Sequence, residues 1–146
     1  MSGEGELWET YTGAVIECEV DGRTVVLRGA VADRLPAAAP VFVLTAYNPG
    51  GIERDSEANE RDEARLELEL ARRGIVCWPA DGHSPDRSWS EPGVAIAGAD
   101  RATACALGDR YGQLAVFELT DDEVRLVECR TRAVVRTRPR AGSASR

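Results

Sequence analysis

Apolar residues along the chain fall into short runs separated by Gly, Pro, Asn and Asp, with longer mixed stretches between them. AVIECEV, Ala14 to Val20, alternates Ile16, Cys18 and Val20 against Glu17 and Glu19, as a half-buried strand does. Asp21-Gly22 follows, a two-residue hairpin signal, and RTVVLRG, Arg23 to Gly29, returns as a second strand. Pro36 and Pro40 exclude regular helix from the connector that comes next. VFVLTAY, Val41 to Tyr47, has the length and the β-branched and aromatic content of a buried strand. Asn48-Pro49-Gly50-Gly51 breaks it. Ser56 is a suitable helix N-cap, and a helix from Ser56 or Glu57 to about Arg73 stops at Gly74. At about 100° per residue, Leu66 and Leu70 share one side and Leu68 points to the other. Asn59 lies at the N-terminal end of the apolar stripe, facing the sheet.

Downstream, Ile75 to Pro79 predicts another buried strand. Ala80 to Gly93, ADGHSPDRSWSEPG, predicts a long turn-rich loop, and Val94 to Ala97 a short strand. Asp100 caps a helix over about Arg101 to Tyr111, which Gly112 ends. Leu114 to Leu119 and Val124 to Val127 flank Asp121-Asp122 as a closing hairpin. Residues 4 to 11 predict one or two helical turns with Leu7, Trp8 and Tyr11 on one face. Two strand–helix–strand passages with hairpins at both ends predict an α/β two-layer sandwich: a mixed β-sheet under two main helices.

Composition narrows the class. With 146 residues, 43% of them hydrophobic, the chain has room for one domain with its own core. No apolar run approaches the roughly 20 residues of a membrane span, and the acidic N-terminus lacks the apolar segment of a signal peptide. A cytoplasmic protein with no membrane association is expected. Cys18, Cys77, Cys105 and Cys129 form no C-x-x-C pair and are expected as buried, reduced thiols. With a single His, His83, no zinc-type ligand cluster is legible, so neither metal nor cofactor is expected. The net charge of −7 argues against nucleic-acid binding, which depends on neutralising phosphates. Six Arg and no acid fall between Arg130 and Arg146. Residues 1–129 are therefore expected to form the α/β domain, and 130–146 a disordered, Arg-rich tail resting on the acidic body. An arm that touches phosphate is the sharper alternative.

The chemistry-bearing residues gather around the glycine-bearing loop. Backbone near Gly50 and Gly51 can approach a ligand closely, with Thr45, Tyr47 and Asn48 beside it; a tight turn held by Asn48 is an equal reading. Neither a phosphate-loop nor a GxGxxG pattern is present. Asn59 either contacts a ligand or ties this loop to the helix start. Trp78 and Trp89 are core and lid packing, or stacking platforms. Glu91, close to Trp89, is a candidate general acid or base if desolvated, and equally an acceptor for loop amides. Gln113 points to the same crevice or caps the helix. His83 lies in a polar stretch and reads as an exposed, unremarkable residue. Ser84, Ser88 and Ser90 lack a G-x-S-x-G context.

The segments VLTAYNPGG, WPADG, WSEPG and RYGQLAVFEL, with Asn59 between the first two, resemble the bacterial family known as domain of unknown function 3293. The resemblance runs from about Val41 to Leu119. It implies a small bacterial cytosolic domain with no settled activity, whose motif positions fall on Thr45, Ala46, Asn48, Pro49, Asn59, Trp89, Glu91, Gly112 and Gln113. Two functions remain open. One is a binding or enzymatic site for a nucleotide- or sugar-like molecule, with Glu91 catalytic and Tyr47, Asn48, Gly50, Gly51, Asn59, Trp89 and Gln113 binding. The other is a non-enzymatic interaction or regulatory module in which these polar residues brace one another.

Overall fold

A computed structural model describes residues 2–142. Three α-helices and eight strands follow in the order α1 (Ser2–Thr12), β1 (Val15–Val20), β2 (Arg23–Arg28), β3 (Val41–Leu44), α2 (Ser56–Arg72), β4 (Val76–His83), β5 (Ser90–Ala97), α3 (Arg101–Arg110), β6 (Ala115–Leu119), β7 (Glu123–Glu128) and β8 (Val134–Pro139). The strands make one sheet ordered β2-β1-β4-β5-β3-β6-β7-β8, and each neighbouring pair is antiparallel.

The α/β class stands, but the expected mixed sheet does not. β3 and β4 run the same way, as a strand–helix–strand passage requires, yet β5 lies between them and pairs with both. In the same manner β3 lies between β5 and β6. Each helical passage steps over one strand, the first over β5 and the second over β3. The resulting order β4-β5-β3-β6, joined as β3-α2-β4-β5-α3-β6, is the connectivity of the split βαβ, ferredoxin-like unit. The β1–β2 and β7–β8 hairpins extend it at either edge.

Two other expectations are corrected. The predicted loop Ala80 to Gly93 is mostly strand: register pairs run without a break from Val76↔Ala97 to His83↔Ser90 and carry Gly82, Pro92 and Gly93 inside the ladder. Pairing with a neighbour overrides local turn preference here. Gly93 is required at its position, since a Cβ there would collide with the Leu44 carbonyl. The Arg-rich tail is also ordered through β8; residues 143–146 lie outside the described residues. β8 pairs with β7, and Glu9 of α1 neutralises it by accepting from Arg136 Nε at 2.5 Å and Arg138 at 3.2 Å. Arg140 is buried and ties the far edge of the sheet to this one. Its guanidinium donates to the carbonyls of Leu27 at 2.9 Å, Asp121 at 2.9 Å and Asp33. Gly29 N–H donates to the Arg140 carbonyl at 3.0 Å. The edge strands thus meet at one end, and the sheet curls rather than lying flat.

Side-chain alternation then builds a core on each face. Phe42, Leu44, Val94 and Ile96 meet Leu66 and Leu70 of α2 and Leu107 of α3. Ile16, Leu27, Val41, Val43, Leu119 and Val124 fill the inside of the curl. The stripe on α2 runs through Asn59, Glu63, Leu66 and Leu70, all buried, and Leu68 faces outward, half exposed. Asp55, rather than Ser56, caps this helix, accepting from Ala58 N–H at 2.8 Å; Asp100 caps α3 through Thr103 N–H at 2.8 Å. Cys18, Cys105 and Cys129 are buried thiols and Cys77 is half-buried.

Replacing Arg140 with Ala removes three carbonyl contacts from a buried position. We expect a loss of about 2–3 kcal/mol, read as a lower urea midpoint; a residue in a disordered tail would leave the midpoint unchanged.

Candidate functional site

β3 ends at Leu44, and the next seven residues fold into a corner held from three sides. The Thr45 hydroxyl donates to the Pro92 carbonyl of β5 at 2.5 Å and accepts from Tyr47 N–H at 2.9 Å. Ala46 N–H donates to Glu63 Oε1 of α2 at 2.8 Å. Asn48 adopts a left-handed conformation, φ 48° and ψ 63°, which Asn tolerates better than most residues. A 3-10 turn, Pro49–Gly51, follows. Gly50 N–H donates to the Gly112 carbonyl at 2.7 Å. Gly112 itself sits against Pro49, where a Cβ would come within 2.7 Å of the proline ring.

Asn48 and Asn59 form a reciprocal clamp. Asn59 Nδ2 donates to Asn48 Oδ1 at 2.9 Å, and Asn48 N–H donates to Asn59 Oδ1 at 2.9 Å. Arg54 closes the clamp. Its Nε donates to Asn59 Oδ1 at 2.7 Å, and its Nη2 donates to the Ala46 and Ala58 carbonyls and to Asp62. The free amide end of Asn48, Nδ2, donates to Glu91 Oε2 at 3.1 Å. Gln113 Nε2 donates to the Tyr47 carbonyl at 2.9 Å.

Residues far apart in sequence therefore meet at one corner, though with unequal access. Asn48, Gly51, Trp89 and Glu91 line a groove of about 570 Å³ bounded by α1 through Leu7, Thr10 and Tyr11. Behind it lies a small cavity of about 40 Å³, where Glu91, Trp89 and Gln113 meet Tyr11, Val43 and Phe117. Glu91 stands between the two. Asn59 is buried behind the clamp and lines neither. Tyr47 also lines neither; burial and the neighbouring Glu60 and Glu63 carboxylates push its phenol upward. The expected amide cradle at Gly50 and Gly51 is not open, because both N–H groups are spent, Gly50 on Gly112 and Gly51 on the Asn48 carbonyl. His83, expected to be exposed, is buried at 4%, since the predicted loop is strand.

Burial raises the Glu91 carboxyl above its ordinary range, with the Asn48 amide partly opposing it. Burial, followed by the Glu91 charge, lifts the Tyr11 phenol to about 12. The aromatic wall is continuous: Tyr11 lies 6.1 Å from Trp89 and 6.4 Å from Phe117 between ring centres.

Sequence reasoning missed Tyr11, Arg54 and Glu63 as members of this corner. Glu63 was within reach, one turn after Asn59 on the same stripe. It is 7% exposed, and its Oε2 has no hydrogen-bond partner among the described residues. Burial pushes it from 4.5 to about 7, against the Ala46 N–H.

This arrangement defines an antiparallel α/β domain with one acidic, aromatic-walled corner. The chain belongs to the DUF3293 family, described as a protein of unknown function, whose model matches residues 44–116. That span covers the clamp, Glu63, Trp89, Glu91 and Gln113. No curated protein and no solved structure matches the chain. Among the described residues, no helix is long and apolar enough to cross a membrane.

Two outcomes are expected. Asn59→Ala strands Asn48 N–H and Arg54 Nε and should cost about 2–4 kcal/mol, measured by denaturant unfolding. For Glu63, the folded carboxyl keeps its proton up to about 7 while the unfolded one releases it near 4.5. Between those values the native state binds more protons, so stability falls as pH rises through that window. Glu63→Gln keeps an acceptor for Ala46 N–H and should flatten this fall. At about pH 8 it should melt higher than the parent, by the equivalent of roughly 2–3 kcal/mol.

Proposed function

We propose that this domain binds a small polar molecule, nucleotide- or sugar-like, in the groove between α1 and the Asn48–Gly51 turn, working in the cytoplasm. The observation that carries the reading is the position of Glu91. Its carboxylate is half-buried, anchored through one oxygen by Asn48, and set where an open groove meets an apolar cavity. A few placed polar groups against apolar and aromatic walls are what small-molecule sites present. Glu91 would accept hydrogen bonds from ligand hydroxyl or N–H groups, and Trp89 and Tyr11 would cover a ring face. If the bound molecule is also transformed, Glu91 is the proton-transfer group, because its raised pKa brings it toward the working range of a general acid or base. Asn48 then positions Glu91, Asn59 and Arg54 position Asn48, and Gln113 holds the wall behind them.

A second reading rests on a specific observation. The Asn48 and Asn59 side-chain oxygens each accept two hydrogen bonds, which is what bracing alone requires. In that case the domain is an interaction module and the corner is structural.

A thermal-shift screen against nucleosides, nucleotides and sugars separates the two. The binding reading expects one chemical class to raise the melting temperature. Glu91→Gln should abolish that rise while leaving the unliganded protein at least as stable, since it removes a desolvated charge. No response to any class, with Glu91→Gln lowering the melting temperature, would overturn the binding reading in favour of bracing.

A further inference from the structure

On the opposite face of the sheet from Glu91, a second constellation is assembled by strand pairing. Glu17 of β1 and Asp81 of β4 are direct register partners, and His83 lies two residues beyond Asp81 on the same face. One ligand-type atom from each lies within 4.8 Å of the others. Glu91 pairs with Gly82, whose position alternates with those of Asp81 and His83, so the two sites do not share a face.

The histidine shows what this cluster lacks. His83 Nδ1 is 2.8 Å from the Ser84 carbonyl, which can only accept, so Nδ1 carries the proton. In the neutral ring, Nε2 then presents a lone pair. It is buried, with no hydrogen-bond partner among the described residues, and its nearest charged neighbour is Glu17 Oε1 at 3.8 Å. Two carboxylates and one imidazole lone pair therefore converge, all of them acceptors. Like charges directly across an antiparallel pair repel, and an unmatched buried nitrogen costs free energy. The neighbouring cation, Arg87, reaches only Glu17, at 3.9 Å, from a largely exposed position. A metal-ligating histidine commonly has its other ring N–H fixed by a carbonyl, as Ser84 fixes His83.

We propose that Glu17, Asp81 and His83 bind one divalent transition-metal cation, of the zinc or manganese class. One imidazole and two carboxylates suit such ions, whereas magnesium and calcium favour all-oxygen sets. At ligand distances of about 2.1 Å, donor atoms around one ion lie at most about 4.2 Å apart. The two half-exposed carboxylates close the remaining distance by rotation, and the buried ring stays fixed. Three protein ligands leave further positions open to water.

The test uses the full chain, stripped with a chelator and titrated by calorimetry with zinc and with manganese, and by absorbance with cobalt. One equivalent should bind and raise the melting temperature. The cobalt spectrum should lack thiolate charge-transfer bands, which separates this site from the four cysteines. Asp81→Asn and Glu17→Gln should each weaken binding by about 10- to 100-fold. Neither should destabilise the metal-free protein, because each relieves a like-charge pair, so failure to fold does not confuse the result as it could for His83→Gln. No binding at millimolar metal, or binding unaffected by Asp81→Asn, would overturn the assignment.

Discussion

The reciprocal clamp between Asn48 and Asn59 is the contact on which the corner depends. It joins the end of a central strand to the first turn of α2, two segments that meet only because the apolar stripe of that helix is buried on the sheet. Neutral amides suit the task. Each offers a donor and an acceptor, so the pair can satisfy itself and still accept from Arg54 and donate to Glu91. A carboxylate would accept but not donate: at position 48 it would take away the anchor of Glu91, and at position 59 the donor to Asn48 Oδ1.

From this clamp the electrostatics follow. Two carboxylates stand on either side of the Thr45–Ala46 backbone, Glu63 beneath α2 and Glu91 inside the curl. Both are desolvated, and both are raised for that reason first. Among the described residues no arginine forms an ion pair with either, although arginines neutralise acids elsewhere, as Arg101 and Arg125 do for buried Glu118. A carboxyl kept out of water without a cation costs stability. The fold bears that cost at one corner while pairing charges in its periphery, a distribution common at functional sites.

The curl supplies the rest of the corner. Arg140 draws the two edge strands together, and α1 packs against β7 and β8. Tyr11 is thereby carried across the opening to face Trp89 and Phe117. The acidic and basic ends of the chain meet in the same act, through Glu9 with Arg136 and Arg138. The excess of arginine at the C-terminus thus has a structural use within the sheet.

Sequence alone determined the local units, because their signals are local. The hairpin at Asp21-Gly22, the face of α2 carrying Asn59, Leu66 and Leu70, and the Asp100 cap were all legible from period and turn chemistry. Tertiary structure decided what depends on partners distant in the chain. Pairing with β3 and β4 turned a Pro- and Gly-rich stretch into β5, and pairing with β7 turned an Arg-rich tail into β8. Register placed Glu17 opposite Asp81 beside a buried His83. No local pattern encodes which strand lies next to which, since that choice is made by the burial of two faces at once.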